Sequence, residues 1–283
     1  MAISILNNIA SLEAQNQLDL TQTNLQKTLF QLSSGSRINS GADDAAGLAI
    51  ANGLQANITA LNQSSNNASD GVGALQVADG ALSQVTTLLN RAVTLATEAA
   101  TGTVSSGQRG ALDAEFTAIK AEIDRIGGST TFNGTSVFTA TTTSIFLSDS
   151  SAASNSTIAV TVGTLASNAL NNGAGGTVNI FTDTLTGNDG TSATTALGDI
   201  NKAIAGVASV RGSIGAGINR LQAAVNVMNN QVQNLTSAED QITAANIPQQ
   251  VANLSQYTIL NQSGISALAQ ANSAQQSILS LLR

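Results

Sequence analysis

Long helices packed antiparallel in a coiled-coil-like manner, with a β-hairpin and a small inserted β domain, form the mainly α architecture this sequence predicts. Three observations lead there. Apolar residues recur every seven positions in two separate stretches, an Asn-Gly pair stands between β-favouring residues, and a Thr-, Ser- and Gly-rich segment divides the two helical halves.

Near the start, Leu18, Leu25 and Leu32, with Leu29 between them, form a stripe at helical spacing. The opening run MAISILNNIASLEAQNQ carries no basic leader and meets Glu13 before any long apolar stretch, so a cleavable secretory signal is not expected. The most regular signal follows. Between Asp43 and Ala100, steps of seven give Leu54, Leu61, Ala68, Leu75, Leu82, Leu89 and Ala96. Ile58, Val72, Ala78, Val85, Ala92 and Val93 fill the partner positions three or four residues on. This predicts a helix of about 55 residues, roughly 80 Å long, far beyond the usual globular helix. Ser40 to Asp44 offers an N-cap and carboxylates for the positive end of the helix dipole, and Gly102 offers a stop.

A second helix is expected from Ser106, with Leu112, Phe116, Ile119, Ile123 and Ile126 on one face and Gly127-Gly128 as its end. Thr131-Phe132-Asn133-Gly134-Thr135 then reads as a tight hairpin. From about Ala140 to Thr195 the character changes. The alternating runs Ile158–Val162 and Val178–Thr182, with turn residues such as Asn171-Asn172-Gly173, predict a few strands; the competing reading is a flexible low-complexity linker.

Helical periodicity returns with Ile200, Val207, Ile214, Leu221, Met228, Leu235 and Ile242, interleaved by Ile204, Ile218, Val225 and Val232 and interrupted by Arg211. Two long helices with matching seams most simply pack on each other, which brings the chain ends together. The last stretch repeats the pattern more weakly, through Ile247, Val251 and Leu254 and then Ile265, Leu268, Leu279 and Leu282, with Pro248 expected near its first turn. No charged residue occurs from Gln241 to Leu282. Exposed helices ordinarily carry salt-bridging charges, so this segment is expected to be buried among copies of itself; the competing reading is a solvated tail in the isolated chain. Folding upon assembly reconciles the two.

The composition narrows function further. The 283 residues include no Cys, His or Trp, which excludes His/Cys zinc sites, histidine-based triads and thiol nucleophiles. With 10 basic against 17 acidic residues there is no basic patch for nucleic acid, and no long apolar run for a membrane span. Asp43-Asp44 could in principle act as acid and base, but its place at a helix start points to capping. The glycine-rich Gly212–Gly217 lies inside a heptad pattern without a Walker lysine, so no phosphate loop and no cofactor are expected.

Several linked motifs resemble a known family. Leu32-Ser33-Ser34-Gly35-Ser36-Arg37-Ile38-Asn39-Ser40 and Asp43-Asp44-Ala45-Ala46-Gly47-Leu48-Ala49-Ile50-Ala51 resemble the N-terminal signature of bacterial flagellin, as does Thr131-Phe132-Asn133-Gly134. Asn234-Leu235-Thr236-Ser237-Ala238, Ala267–Asn272 and Ile278–Arg283 agree at the other end. The resemblance covers about 1–138 and 196–283.

It implies a self-assembling, non-enzymatic filament subunit outside the bacterial cell, serving swimming motility. Residues 1–43 and 241–283 would form an inner terminal core, 44–138 and 196–240 a helical shell, and 139–195 a variable outer β domain. Implied partners are copies of the chain, a flagellar export chaperone serving type III export, filament cap and hook-junction proteins, and the Toll-like receptor for flagellin. Motif alignment places the receptor-contacting Arg, Leu and Glu at Arg91, Leu95 and Glu115. Val93 and Thr94 stand where charged residues are common, which would weaken that contact, and Ala245–Pro248 replaces an acidic stretch typical of the family. The alternative is a hook–filament junction protein.

Overall fold

The computed structural model describes residues 8–149, 156–167, 170–171, 177–180, 182–187 and 190–281. In chain order the elements are α1 (Ile9–Ser34), α2 (Ala45–Ala100), α3 (Ser106–Ser129), β1 (Thr131–Phe132), β2 (Thr135–Ser136), β3 (Thr143–Phe146), β4 (Thr157–Val160), β5 (Leu170–Asn171), β6 (Thr177–Val178), α4 (Thr191–Thr243) and α5 (Ile247–Leu281). The described strands form three separate antiparallel pairs, β1–β2, β3–β4 and β5–β6. The molecule is therefore mainly α with a small β region, as its periodicity predicts. It divides into two compact units: the described parts of 1–57 and 233–283 form the first, and those of 58–232 the second.

Within the second unit, α2 and α4 run antiparallel. Gly71 lies beside Leu221, Gly217 lets Leu75 approach, and Arg211 bonds both carboxylate oxygens of Asp79 at 2.8 and 3.2 Å. The one break in the α4 heptads is thus matched by a partner on α2. The core is aliphatic: Leu61, Leu75, Leu82, Val85, Leu89, Ile200, Val207, Ile214, Leu221 and Met228 are buried, joined by Phe116 and Ile123 from α3.

Local chemistry sets the element ends. The carboxylate pair at the start of α2 divides its work. Asp44 accepts the Gly47 N–H at 2.9 Å and is the N-cap, while Asp43 turns back to the Asn39 and Ser40 N–H groups and to Lys27 at 2.7 Å. A capping box between Ser105 and Gln108 opens α3. Its end differs from expectation. Gly127 and Gly128 lie inside the helix, which runs to Ser129 and closes where Thr130 N–H donates to Ile126 C=O at 3.1 Å. Gly127 serves packing instead, since a β-carbon there would overlap the carbonyl of Leu165.

The hairpin forms as predicted, with Asn133 at φ 49° and Gly134 at φ 76° between the pairs Phe132↔Thr135 and Thr131↔Ser136. In the insert, Thr157–Val160 pairs with Thr143–Phe146, so the first alternating run is a strand over most of its length. Of the second run, Val178 pairs as part of Thr177–Val178 and Phe181 lies outside the described residues; Ile180 sends its N–H to Ser167 C=O at 2.9 Å and buries its side chain without joining a ladder. Asn172 and Gly173 lie outside the described residues. α4 begins before Thr195, at Thr191, because the Gly190 carbonyl already accepts Thr194 N–H at 3.1 Å.

Candidate assembly and recognition surfaces

In the first unit, α1 and α5 pack antiparallel. Asn8 donates to Ala271 C=O at 3.2 Å, Ser11 Oγ bonds Asn272 Oδ1 at 3.0 Å, and Gly264 leaves room for Leu18. Pro248 sits in the first turn of α5, where Asn246 accepts Gln249 N–H at 3.3 Å and the missing proline N–H costs nothing.

The two helix connections of this unit are bound together. Arg37 N–H donates to Thr243 C=O and Ala245 N–H to Gly35 C=O, while the Arg37 guanidinium reaches Ile242 C=O at 2.8 Å. Arg37 thereby meets carbonyls at the negative end of α4, where Thr243 C=O also accepts from Ser36 Oγ at 3.0 Å. Nothing in the apolar periodicity signals this role.

Burial on α1 and α5 is incomplete. Leu18, Leu25, Leu32, Leu254 and Leu268 are half-buried, and Val251 is exposed. The side chain of Leu279 and all of Leu282 lie outside the described residues. Larger apolar groups are more open still: Ile9, Leu12, Leu20 and Phe30 on α1 and Ile259 and Ile265 on α5 all expose more than half of their surface. Meanwhile Thr21, Thr28 and Gln31 are buried. The pair therefore carries apolar surface on faces that its own contacts do not cover, and α5 brings no charge to solvate it. The heptad seam shows the same gradient, for Leu54 and Leu235, which belong to this unit, are only half-buried.

In the second unit, the guanidinium of Arg91 grips the carboxylate of Glu115 at 2.6 and 3.0 Å across α2 and α3. Each group holds the other charged: the pair raises the Arg91 pKa and lowers that of Glu115. Both remain open to solvent, with 53% and 45% of their side chains accessible. Leu95 differs. It is 1% exposed, packed in the α2 core with Ala92, Ala96 and Ala99, and so lies inside the surface that Arg91 and Glu115 present.

Two carboxylates give the fold opposite pH dependences. The Lys27 bond, aided by the Asn39 and Ser40 contacts, holds Asp43 at about 2, below its ordinary 3.8. Its stabilising contribution is present above the ordinary value and is lost as pH falls toward about 2. Asp183 moves the other way, because burial and then the nearby Asp199 raise it against the pull of Lys120 and Lys202. Among the described residues, one of its oxygens is buried with no hydrogen-bond partner. The fold thus favours the protonated form, whose contribution is complete below the ordinary 3.8 and disappears as pH rises through the raised value. Asp183→Asn is expected to raise the thermal midpoint near neutral pH and to flatten its rise on mild acidification. A midpoint at or below that of the native chain near neutral pH would count against this reading.

No described helix is long and apolar enough to cross a membrane. Comparison with known proteins places the chain. The family models "Bacterial flagellin N-terminal helical region" and "Bacterial flagellin C-terminal helical region" match residues 5–143 and 197–282. A "Flagellar filament 33 kDa core protein" of Treponema phagedenis is 34% identical over 288 residues, 99% of each chain. A flagellin of Halalkalibacterium halodurans is 32% identical over 279 residues, again 99% of each. Among solved structures, Bacillus cereus flagellin shares 29% identity at a TM-score of 0.47, covering 62% of this chain and 94% of that one. With both ends matched by the family's helical regions and full-length relatives on either side, this chain belongs to the bacterial flagellin family.

Proposed function

We propose that the chain is the repeating structural subunit of an extracellular flagellar filament and that α1 and α5 are the segments through which copies join. The observation that carries this reading is the uncovered apolar surface of the α1–α5 pair, together with an α5 that has no charge to hold it in water. Burying such surface between copies releases about 25 cal/mol per Å², enough to drive ordered polymerisation when repeated along a helix pair. Residues 1–43 and 241–283 then form the inner core of the polymer, 44–138 and 196–240 its shell, and 139–195 its outer face. Motility follows because torque applied at one end passes through the helical polymer. A hook–filament junction role finds no support in the relatives named above.

Removal of residues after Ala244 tests this directly. The truncated chain is expected to remain a soluble monomer with its second unit folded, and long filaments of it under the electron microscope would overturn the proposal.

Before incorporation, the same α5 surface is suited to an export chaperone that covers it, and the growing end would meet cap and hook-junction proteins. The exposed Arg91–Glu115 pair supports a second role as a contact for the Toll-like receptor for flagellin, with Leu95 acting from beneath to fix α2. Arg91→Ala is expected to lower receptor signalling potency by roughly 3–10-fold, and an unchanged dose response would argue against that role.

A further inference from the structure

One face of α3 makes a row of contacts with the inserted segment, and they fall on its main chain. Arg109 Nη1 donates to Gly187 C=O at 2.9 Å. Four residues on, the Asp113 carboxylate accepts Leu185 N–H at 2.7 Å. Lys120 Nζ donates to Asp183 C=O at 2.8 Å, its ammonium standing 4.7 Å from the Phe116 ring centre. Asp124 accepts Ser167 N–H at 2.6 Å, and at Gly127 the bare helix backbone admits the Leu165 carbonyl.

The order is systematic. Helix positions 109, 113, 120, 124 and 127 recur at spacings that keep one helix face. The residues they meet descend by twos, 187, 185 and 183 in one stretch and 167 and 165 in another. Alternate residues of an extended chain turn their N–H and C=O groups to one edge. Cationic side chains meet carbonyls and carboxylates meet N–H groups throughout, and a charged partner strengthens each bond.

We propose that this face of α3 is a docking surface for main chain, occupied here by residues 165–167 and 183–187 of the same chain, and that it fixes their position without reading most of their side chains. The side-chain requirement within these two stretches reduces to Leu165, Ser167 and Leu185, which are 7%, 0% and 0% exposed. Thr182, Thr184 and Thr186 are expected to be replaceable without loss of this docking. Hydroxyl contacts do exist: Thr184 and Ser167 reach Asp113 and Asp124, carboxylates already bound to a main-chain N–H, and Thr184 Oγ1 meets Thr186 Oγ1 at 2.7 Å and accepts Thr186 N–H at 3.1 Å, bonds inside the stretch and not to α3. An outer segment of altered surface can thus be carried on unaltered helices. The proposal concerns the second unit alone and does not depend on filament formation.

Hydrogen exchange on the full-length chain tests it, reading the Leu185 and Ser167 amides with the α2 core amides as an internal check on folding. The double variant Asp113→Ala/Asp124→Ala is expected to speed exchange at both amides by about tenfold or more, the loss of a charge-assisted bond, while the α2 amides keep their protection. The triple variant Thr182→Ala/Thr184→Ala/Thr186→Ala is expected to leave both amides within about threefold of the native rate. Equal acceleration in the threonine variant, or none in the aspartate variant, would overturn the proposal. Should the aspartate variant also lose protection in α2, Asp113→Asn alone, read at Leu185, supplies the same comparison.

Discussion

Arg109→Met lowers the unfolding free energy of the soluble monomer by about 3–5 kcal/mol. Arg109 is 2% exposed, and its guanidinium donates to Ala99 C=O at 2.7 Å, Thr101 C=O at 3.1 Å and Gly187 C=O at 2.9 Å. Two of these acceptors sit at or just beyond the C-terminal end of α2, where helix carbonyls lack donors and carry partial negative charge. The third belongs to the connection leading into α4. One side chain thus ties the end of α2 to the entry of α4. Methionine keeps much of the apolar stem and leaves three inward carbonyls without their donor, each costing about 1–3 kcal/mol less whatever water regains. Urea unfolding followed by far-ultraviolet circular dichroism measures the effect.

Arg211→Ala supplies the contrast within the same unit. Its pair with Asp79 is more than a third open to solvent on both sides, so it is expected to lose less than about 1 kcal/mol. A loss that small at Arg109 would contradict the role assigned to it.

The difference between these two arginines also shows what kind of information the sequence carries. Arg211 stands out because it breaks an apolar heptad, and a partner on the facing helix is the natural remedy. Arg109 breaks nothing. With Asp113, Lys120 and Asp124 it looks like the solvated side of an amphipathic α3, and only the arrival of residues 165–167 and 183–187 turns that side inward. Periodicity records which face of a helix is apolar, but says nothing about a distant main chain that meets the polar face.

The seams were legible because a seven-residue repeat sustained over α2 and α4 leaves one continuous apolar line, and because the hairpin needs positive φ at Asn133 and Gly134. Gly127 misled for a related reason. A glycine pair near a helix end has the composition of a stop, whereas here the missing β-carbon makes room for Leu165. The strands of the insert were only partly legible, since Ile180 buries its side chain without pairing in a ladder.

At the surfaces, the outward position of Arg91 agrees with its place two residues after the seam residue Leu89. The burial of Leu95 was implied by neither the seven-residue steps nor the family resemblance. α3 is joined to α2 by the Arg91–Glu115 pair, and its Phe116 and Ile119 are buried like Leu95. The uncharged α5 was legible as an anomaly. Structure adds that Val251, Ile259 and Ile265 on it remain exposed in a single chain, which turns a compositional oddity into a surface that copies can bury.

Seeded elongation of an Ile259→Asp chain on filament fragments tests that claim most directly. Ile259 is 68% exposed, so the monomer should unfold within about 0.5 kcal/mol of the native chain. A carboxylate forced into a dry intersubunit contact costs several kcal/mol, so elongation is predicted to fall by about a hundredfold or more relative to the native chain, which grows into long fibres. Growth of the variant at the native rate would contradict the assignment of α5 as an intersubunit surface.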